Sequence, residues 1–404
     1  MNRLNTIKIN ESVGLIILAV AGAALWLILS LPRFQNIDLN VDQSRAVALA
    51  KDFLVSSQQV NVDGYFASAV FDSDGQADRY LQKTIGITES RALIEKTHYD
   101  LFYWVVRFFK EKQKEEFRVV VSSRTGEVIA FYHEIEETAE RPLVDKEQAL
   151  QTATGFLKTR FGFDPALYVV HNQEEKKFDH RIEYSFSWEE AQTKISWNPS
   201  LGGGTAKILT KVVVSGQDVL SFRKSVFEIP DAFNRYIDNL KQTGQNLSMV
   251  FKVFYLALLT LAIMLLVNRK NHAVPRIVKP LYWRIGLVIF AFTFIETLNS
   301  YQLILFNYST AQSFADHLIR QLIESLVNPF FVVVVFIIPA LAGEALRSEN
   351  NPQVKHLGLL SSTLSSFFTR TISVQIGIGY LIAWMVLGVQ SVIFTFGYHY
   401  CGVW

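Results

Sequence analysis

The sequence has almost no cysteine: Cys401 is the single one among 404 residues. A disulfide within the chain is therefore excluded, and any part of the protein that faces an oxidising compartment depends on core packing for its stability. Charge of one sign is also scarce, since 39 basic side chains are balanced by 37 acidic ones. A net charge of +2 provides no concentrated basic surface, so nucleic acid is not an expected partner.

The chain also lacks the short motifs of several enzyme classes. It contains no HExxH, no GxSxG and no phosphate-binding GK[ST] string. Its histidines show no metal-ligand spacing: His98, His133, His171, His180, His272, His317, His356 and His399. Haem held between membrane helices would need histidines at bilayer depth, whereas the last four lie at loops or helix ends. We expect no metal, no haem and no other cofactor.

Long apolar runs, by contrast, are present. Half of the residues are hydrophobic and the mean hydropathy is +0.20, which is high for a soluble protein. The first run has no charge, is long enough to span about 30 Å of hydrocarbon, and has no small-residue cleavage site after it, so it predicts a retained anchor. Five spans are predicted in all, over residues 13–31, 249–267, 285–306, 325–343 and 373–396.

The distribution of charge predicts the orientation of these spans. The stretch after the second span is rich in basic residues and has no acid: Arg269, Lys270, Arg276, Lys279 and Arg284. Such a loop is typical of the cytoplasmic side. The amino terminus is then cytoplasmic, and residues 33–248 are extracytoplasmic. The expected location is a bacterial plasma membrane, crossed several times.

Two stretches between the predicted spans have helical periodicity of their own. Phe314, Leu318, Leu322 and Leu326 recur at every fourth position, which predicts a helix lying in the membrane interface before the fourth span. A similar surface helix is predicted over residues 357–370 on the inner side. Both stretches would contact the lipid bilayer from its surface.

The extracytoplasmic part contains an internal repeat. Segments 42–54 and 145–157 match at a constant offset of 103 residues. The matched pairs are Asp42 with Asp145, Ala46 with Ala149, Ala50 with Ala153, Phe53 with Phe156, and Leu54 with Leu157. In each copy the aspartate has the character of an N-cap and the apolar positions share one helix face. Alternating strand patterns follow, which predicts one helix on an antiparallel sheet in each copy.

The first copy ends in "VVVSSRTGEVIAF", residues 119–131, a predicted hairpin. Together with the preceding helix and strands, it resembles the PepSY domain, a module found outside bacterial membranes beside peptidases. The resemblance covers residues 40–135 and, more loosely, 140–230, where Gly216-Gln217-Asp218 replaces the Thr-Gly turn. It implies an α+β tandem that binds peptide, for instance by adding a strand to an open sheet edge.

Polar residues within or beside the predicted spans are candidates for function. Glu296 lies inside the third span with Asn299 on the same helix face, and an ionisable group at that depth is costly. It is either a proton or ion site or a hydrogen-bonded group that holds helices together. Glu344 and Arg347, three residues apart, are interpreted as the end of a span, or as support for a site supplied elsewhere.

Three further phrases extend the resemblance to the whole chain: "FEIPDAFNR", "IIPALAGEALRSENNP" and "FTFGYHYCGVW". With the anchor and the repeat, they resemble the amino-terminal part of large bacterial CPBP proteins, the CAAX-protease-like or Abi intramembrane proteases. That family cleaves peptide bonds with a membrane-buried EExxxR and later histidines. In this sequence the EExxxR motif matches only Glu136, Glu137 and Arg141, which lie in a hydrophilic linker. No catalytic residue is therefore assigned, and the question of enzymatic activity stays open.

The sequence therefore predicts a membrane α-helical bundle plus an extracytoplasmic PepSY-like tandem. Its divisions are an anchor (1–32), two α+β repeats (33–140 and 141–248) and a helical region (249–404) truncated at its carboxyl end. The expected function is the non-catalytic front half of a CPBP-type intramembrane protease, whose outer part binds or restrains a peptide or protein substrate. The alternatives are a complete non-enzymatic sensor or peptidase-inhibitor module, and a transporter-like protein that uses Glu296.

Overall fold

The computed structural model describes residues 9–30, 39–164, 167–268, 278–350 and 370–400. Its helices are α1 (Ile9–Ser30), α2 (Gln43–Ser57), α3 (Gly75–Ile85), α4 (Ile87–Thr97), α5 (Lys146–Phe161), α6 (Asp231–Asn268), α7 (Val278–Asn299), α8 (Tyr301–Phe306), α9 (Phe314–Asn350) and α10 (Arg370–Tyr400). Its strands are β1 (Phe66–Ser73), β2 (Phe102–Phe109), β3 (Glu116–Ser122), β4 (Val128–Glu134), β5 (Tyr168–Lys177), β6 (Ile182–Ser196), β7 (Thr205–Ser215) and β8 (Asp218–Glu228).

The chain forms two compact units. The sheet unit comprises Ile37–Asp238 and a later segment, Leu298–Ile323, while the remainder of the chain belongs to a helical unit. The later segment is an insertion of the membrane-helix region into the sheet unit. It contains α8 and the beginning of α9.

The sheet unit contains one antiparallel sheet of eight strands in the order β1-β2-β3-β4-β8-β7-β6-β5. Each half is a meander that belongs to one copy of the repeat. The two halves join where Ala130–Tyr132 of β4 pairs with Ser221–Arg223 of β8. Strands β1 and β5 are the two edges.

One face of the sheet, the inner face, carries the two repeat helices. Asp42 and Asp145 accept hydrogen bonds from the backbone N–H groups of Arg45 and Gln148, so both predicted N-caps are confirmed. Phe53 of α2 contacts Phe131 of β4 and Phe222 of β8, with ring centroids 5.5 and 5.9 Å apart. Since β4 and β8 belong to different copies, the two repeats share one core.

The opposite, outer face is covered at two places. Over the second meander lies α3, whose Tyr80 is buried against Trp197 and Phe233 and donates its hydroxyl to the carbonyl of Ile195 at 2.7 Å. Over β1 and β2 lie α8 and the loop that follows it, where the ring of Tyr308 packs against that of Phe109 in a tilted arrangement. The part of the outer face between these two covers is open.

Four helices in the described part of the chain are long and apolar enough to cross a membrane. The corresponding stretches are Val13–Ser30, Asp231–Asn268, Phe314–Gly343 and Gly377–Gly397. By length and composition they indicate a membrane protein. Helix α7, at the position of the predicted third span, is not among the four, so the count of five spans stays a prediction.

Two predicted boundaries differ from the structure. The third span was expected to reach residue 306, but α7 ends at Asn299, because residues beyond it turn onto the sheet and form α8. The interfacial helix and the fourth span were expected as separate elements, whereas α9 runs without a break through 37 residues, with Pro329 and Pro339 inside it. The predicted inner surface helix at 357–370 lies almost wholly outside the described residues.

Within the helical unit, α1 packs against α10 at very short range. A methyl group added at Gly22 would lie 2.5 Å from the carbonyl oxygen of Trp384, and one added at Gly388 would overlap the Gly22 backbone. The indoles of Trp26 and Trp384 meet edge to face at 5.9 Å. Small residues are typical of such close helix contacts in lipid.

Candidate binding groove

The open part of the outer face forms a groove of about 470 Å³, which is within the size range of ligand sites. It is lined by residues of β1, β2, β3, β4 and β8, by the end of α4 and the turn after it, and by Phe306 of α8: Asp72, Thr97, His98, Tyr99, Asp100, Tyr103, Val105, Arg118, Val120, Ile129, Ala130, Tyr132, Glu134, Arg223, Lys224, Ser225 and Phe306. The floor is therefore sheet, and the walls come from the turn after α4 and from Phe306.

Strand register explains the composition of the floor. Paired residues on neighbouring strands point to the same face. One row across the sheet reads Val105, Val120, Ala130 and Arg223. The next row reads Arg107, Arg118, Tyr132 and Ser221. Val105, Val120 and Ala130 thus form a short apolar strip, with Arg223 at the end of the same row and Arg118 in the next row.

Tyrosines contribute both apolar surface and hydroxyl groups to the groove. Burial raises the pKa of Tyr99 well above its usual value, and the Asp74 carboxylate, which accepts its hydroxyl at 2.6 Å, adds to the effect. Burial also raises the pKa of Tyr103 to about 12. At neutral pH both phenols are uncharged and do not repel an anionic ligand. The Tyr99 proton is already donated to Asp74, so of these two phenols Tyr103 is the one that can donate to a ligand.

Backbone strain occurs at the same place. Ser225 has a φ of 52°, in the left-handed region that non-glycine residues rarely adopt. The pairing of β7 with β8 shifts register at this point, between Leu209 and Lys211. A bulge beside a cavity commonly redirects side chains toward it, and here Arg223, Lys224 and Ser225 all line the groove.

Arg118 has one donor without an acceptor. Its Nη2 donates to Glu116 at 2.6 Å and lies 3.6 Å from Glu134. Its Nε is buried and, among the described residues, has no hydrogen-bond partner. An unsatisfied buried N–H is costly, so a small rotation of this arginine toward an acceptor supplied by a ligand would be favourable.

A buried ion pair lies directly beside the groove. Arg107 is 6% exposed and Glu116 is 3% exposed. The guanidinium donates to the Glu116 carboxylate from Nε at 2.9 Å and also from Nη2. Its Nη1 donates to the carbonyl oxygens of Phe306 at 2.7 Å and Tyr308 at 2.6 Å. Arg107 thus binds both the sheet, through the Glu116 carboxylate, and the inserted segment, through two backbone carbonyls.

The sequence-predicted site residues lie elsewhere. Glu296 and Asn299 are on α7 with exposed side chains, and neither is among the residues that line the groove. Glu344 and Arg347 are on α9, but their side chains lie outside what the structure describes. Whether these four residues function, structurally or chemically, stays a prediction.

The three residues of the EExxxR match lie in the linker between the two copies, where they form hydrogen bonds with other residues. The carbonyls of Glu136 and Glu137 accept hydrogen bonds from Arg181 at 2.8 and 2.7 Å, and Arg141 pairs with Asp218 at 2.8 Å. Within the described part of the chain, no group of three or more His, Cys, Asp or Glu residues is arranged to hold a metal ion.

Sequence reasoning missed the groove, although a signal existed. In β2 the outward positions are Tyr103, Val105 and Arg107, and in β3 they include Glu116 and Arg118. Tyrosine and arginine at alternating positions of a half-buried strand indicate a face that is neither core nor fully solvated. Strand order, which brings β4 beside β8, could not be read from this pattern.

Comparison with known proteins finds little. No family model matches the chain, and no curated protein matches it. Among solved structures, it has a weak likeness to the Bacillus megaterium YpeB C-terminal domain, with 16% identity, 47% of this chain and 69% of that chain covered, and a TM-score of 0.26. A similarity at this level carries no conclusion, so both the PepSY-like arrangement and the CPBP resemblance stay predictions.

Proposed function

We propose that this chain is a membrane-tethered peptide receptor whose sheet unit binds a short peptide segment in the groove of the outer face. The observation that carries the proposal is the groove itself, with its apolar floor beside Arg118 and Arg223. The ligand class that fits is a few residues of extended peptide with one apolar or aromatic side chain and one carboxylate.

The chemistry of each part supports this ligand class. The strip formed by Val105, Val120 and Ala130 offers a surface for an apolar side chain, with tyrosine rings at its borders. Arginine binds carboxylates through two parallel N–H groups. Arg223 is 36% exposed and its Asp74 partner is 3.5 Å away, a long contact that leaves donors for a ligand.

The sequence also predicts a second mode of peptide binding, in which the peptide adds a strand to a free edge of the sheet. Strand β5 is an edge; its residues are mostly exposed, and four of its ten residues are charged, Glu174 to Lys177. Charged edge strands usually resist the addition of another strand. We therefore place the peptide on the face of the sheet rather than at its edge.

We further propose that the sheet unit is extracytoplasmic. Chain connectivity supports it: α6 leaves the sheet unit after Asp238, and the chain returns to that unit at Leu298. If α6 crosses the bilayer, α7 has to cross back, and its 22 residues span about 33 Å, enough for the hydrocarbon core. The basic stretch between the two helices then lies in the cytoplasm.

The more specific functions expected from the sequence also remain proposals. A receptor module fits the front half of a CPBP-type protease, as well as a complete sensor or peptidase-inhibitor module. What favours the sensor is the insertion of Leu298–Ile323 into the sheet unit, since it joins the groove to the membrane helices. A transport role for Glu296 would appear as loss of function in Glu296→Gln with normal membrane insertion.

The binding proposal is tested with the full chain in nanodiscs and with C-terminally amidated tetrapeptides that contain Phe followed by Asp and carry an uncharged fluorophore. We expect saturable binding, at least 10-fold weaker for the Phe-Asn counterparts, because the charge-assisted hydrogen bonds are lost. Arg223→Ala and Tyr132→Ala should weaken binding similarly. Arg45→Ala, an exposed arginine on the distant helix α2, is the control and should bind normally. Equal binding of Asp and Asn peptides, or no saturable binding, would overturn the proposal.

A further inference from the structure

The inserted segment is held on the outer face of the sheet by several independent contacts. We name residues 300–314 the docking segment. The Ser68 hydroxyl donates to the carbonyl of Gln302 at 2.7 Å, and the backbone N–H of Lys112 donates to the carbonyl of Thr310 at 2.9 Å. Phe66 stacks on Phe314 at 5.0 Å. These contacts hold the connection between α7 and α9, which includes α8, on the sheet.

Arg107 is the central anchor of the docking segment. All of its described hydrogen bonds go either to Glu116 or to the carbonyls of Phe306 and Tyr308. A buried guanidinium is tolerated only when its charge is compensated. The carboxylate of Glu116 supplies the compensation, so the strength with which Arg107 holds the docking segment depends on Glu116.

Glu116 is shared with the groove. Its second oxygen accepts from Arg118 at 2.6 Å, and Arg118 lines the groove. The polar connection therefore runs from the groove through Arg118, Glu116 and Arg107 to the backbone of the docking segment. Phe306 belongs to both parts, since its carbonyl is bound by Arg107 and the residue lines the groove.

We infer that peptide occupancy of the groove and docking of segment 300–314 are positively coupled through the shared Glu116 carboxylate. This inference rests on the proposed function. A ligand carboxylate draws Arg118 away from Glu116, which leaves that carboxylate entirely to Arg107 and strengthens the hold on the docking segment. In return, the docked segment supplies the Phe306 wall, so the ligand binds the docked state more tightly. Groove occupancy is thereby transmitted to the connection between α7 and α9.

The first arm of the test needs no ligand. Hydrogen exchange of the peptide that covers residues 300–314 is measured in the full chain in nanodiscs. Arg118→Met keeps the apolar stem but removes the competitor for Glu116, so exchange of the docking segment should slow several-fold. Arg118 does not touch this segment by any described hydrogen bond, so a simple loss of contact predicts no change. The control is Arg45→Met. Unchanged or faster exchange in Arg118→Met would overturn the inference.

The second arm measures reciprocity. Ser68→Ala removes one anchor of the docking segment without altering an ion pair, and exchange of residues 300–314 should then rise. The affinity for the labelled Phe-Asp tetrapeptide should fall in proportion to the fraction of molecules that remain docked. In Ser68→Ala, saturating tetrapeptide should in return slow the exchange of residues 300–314 several-fold, because linkage is symmetric. A disulfide in Ser68→Cys/Gln302→Cys should restore or raise the affinity.

The outcomes separate this inference from the proposed function. Exchange of residues 300–314 that saturating tetrapeptide does not slow, in a chain that binds the tetrapeptide, would overturn the coupling while leaving the binding groove intact. Absence of peptide binding in the unaltered chain would overturn the proposed function, and with it the ligand half of this inference, whatever the first arm shows. Slower exchange in Arg118→Met, together with slowing of exchange by the tetrapeptide in Ser68→Ala, supports the coupling.

Discussion

The hydroxyl of Tyr255, on α6, donates a hydrogen bond at 2.9 Å to the backbone carbonyl of Val335, on α9. Val335 lies four residues before Pro339, which has no N–H to donate back to it. The proline leaves this carbonyl without its helical partner, and a backbone group in hydrocarbon has to be satisfied from within the protein. The tyrosine therefore accounts for the tolerance of Pro339 in an unbroken helix.

Tyr255→Phe should destabilise the helical unit by about 1–3 kcal/mol, the cost of one unsatisfied polar group in an apolar medium. Thermal unfolding in detergent measures the loss. The double variant Tyr255→Phe/Pro339→Ala should recover most of it, because alanine restores the donor to the Val335 carbonyl. If the double variant is no more stable than the single one, the hydrogen bond does not serve the proline.

Gly388→Leu should separate α1 from α10, because the backbones approach too closely to admit a side chain there. The hydroxyl oxygens of Ser30 and Ser391 are 3.3 Å apart. Ser30→Cys/Ser391→Cys, in a Cys401→Ser background, should therefore cross-link readily, and Gly388→Leu should abolish the cross-link. Gly14→Leu is the matched control, since a side chain at Gly14 meets nothing within 4 Å. Loss of the cross-link in the control would contradict the assignment of the contact.

The sheet unit should lose stability as the pH falls, through His133. Burial lowers the pKa of this imidazole, although its hydrogen bond to Glu115 at 2.8 Å acts in the opposite direction. The folded pKa is thus below the unfolded value of about 6.5. As pH falls below that value the unfolded chain binds more protons, so stability present above it is lost progressively toward the folded pKa. His133→Phe should show a flatter dependence of the unfolding temperature between pH 7.5 and 5, whereas His180→Phe, at an exposed site, should behave as the unaltered chain does.

Leu54→Ala and Leu157→Ala should have equal and large effects. These equivalent residues of the two copies are 0% and 1% exposed in the same core cluster. Each truncation should cost about 2–5 kcal/mol. Because the copies share a core and a sheet, each variant should unfold the sheet unit in one transition, followed by far-UV circular dichroism. A variant that melts only its own half would show that the copies fold independently.

The parts of the fold that could be predicted depend on local periodicity. Asp42 and Asp145 cap the two helices at the positions that the repeat predicts. Gly126 lies in the predicted turn with a φ of 77°, a value that glycine adopts easily. Long apolar runs predict membrane helices for the same reason, since hydrocarbon imposes a minimum length on each crossing. None of these predictions requires knowledge of distant contacts.

The parts that could not be predicted depend on pairings between distant residues. Phe306 lies 199 residues from Arg107, whose Nη1 binds its carbonyl, and α8 was therefore assigned to a span. The groove exists because β4 meets β8 and because the docking segment covers β1 and β2. Local pattern cannot distinguish an arginine that faces solvent from one that binds two carbonyls of a remote loop.

Sequence alone determined that this chain has membrane helices, a repeated helix-and-strand unit and no cysteine pair, because these follow from residue periodicity and composition. Tertiary structure decided that the repeats merge into one sheet, that residues 298–323 return to it, and that tyrosines and arginines of four strands converge on one groove. The physical reason is that hydrophobicity acts on each segment through its own pattern, whereas hydrogen bonds and ion pairs such as that of Arg107 and Glu116 form only after folding has brought their partners together.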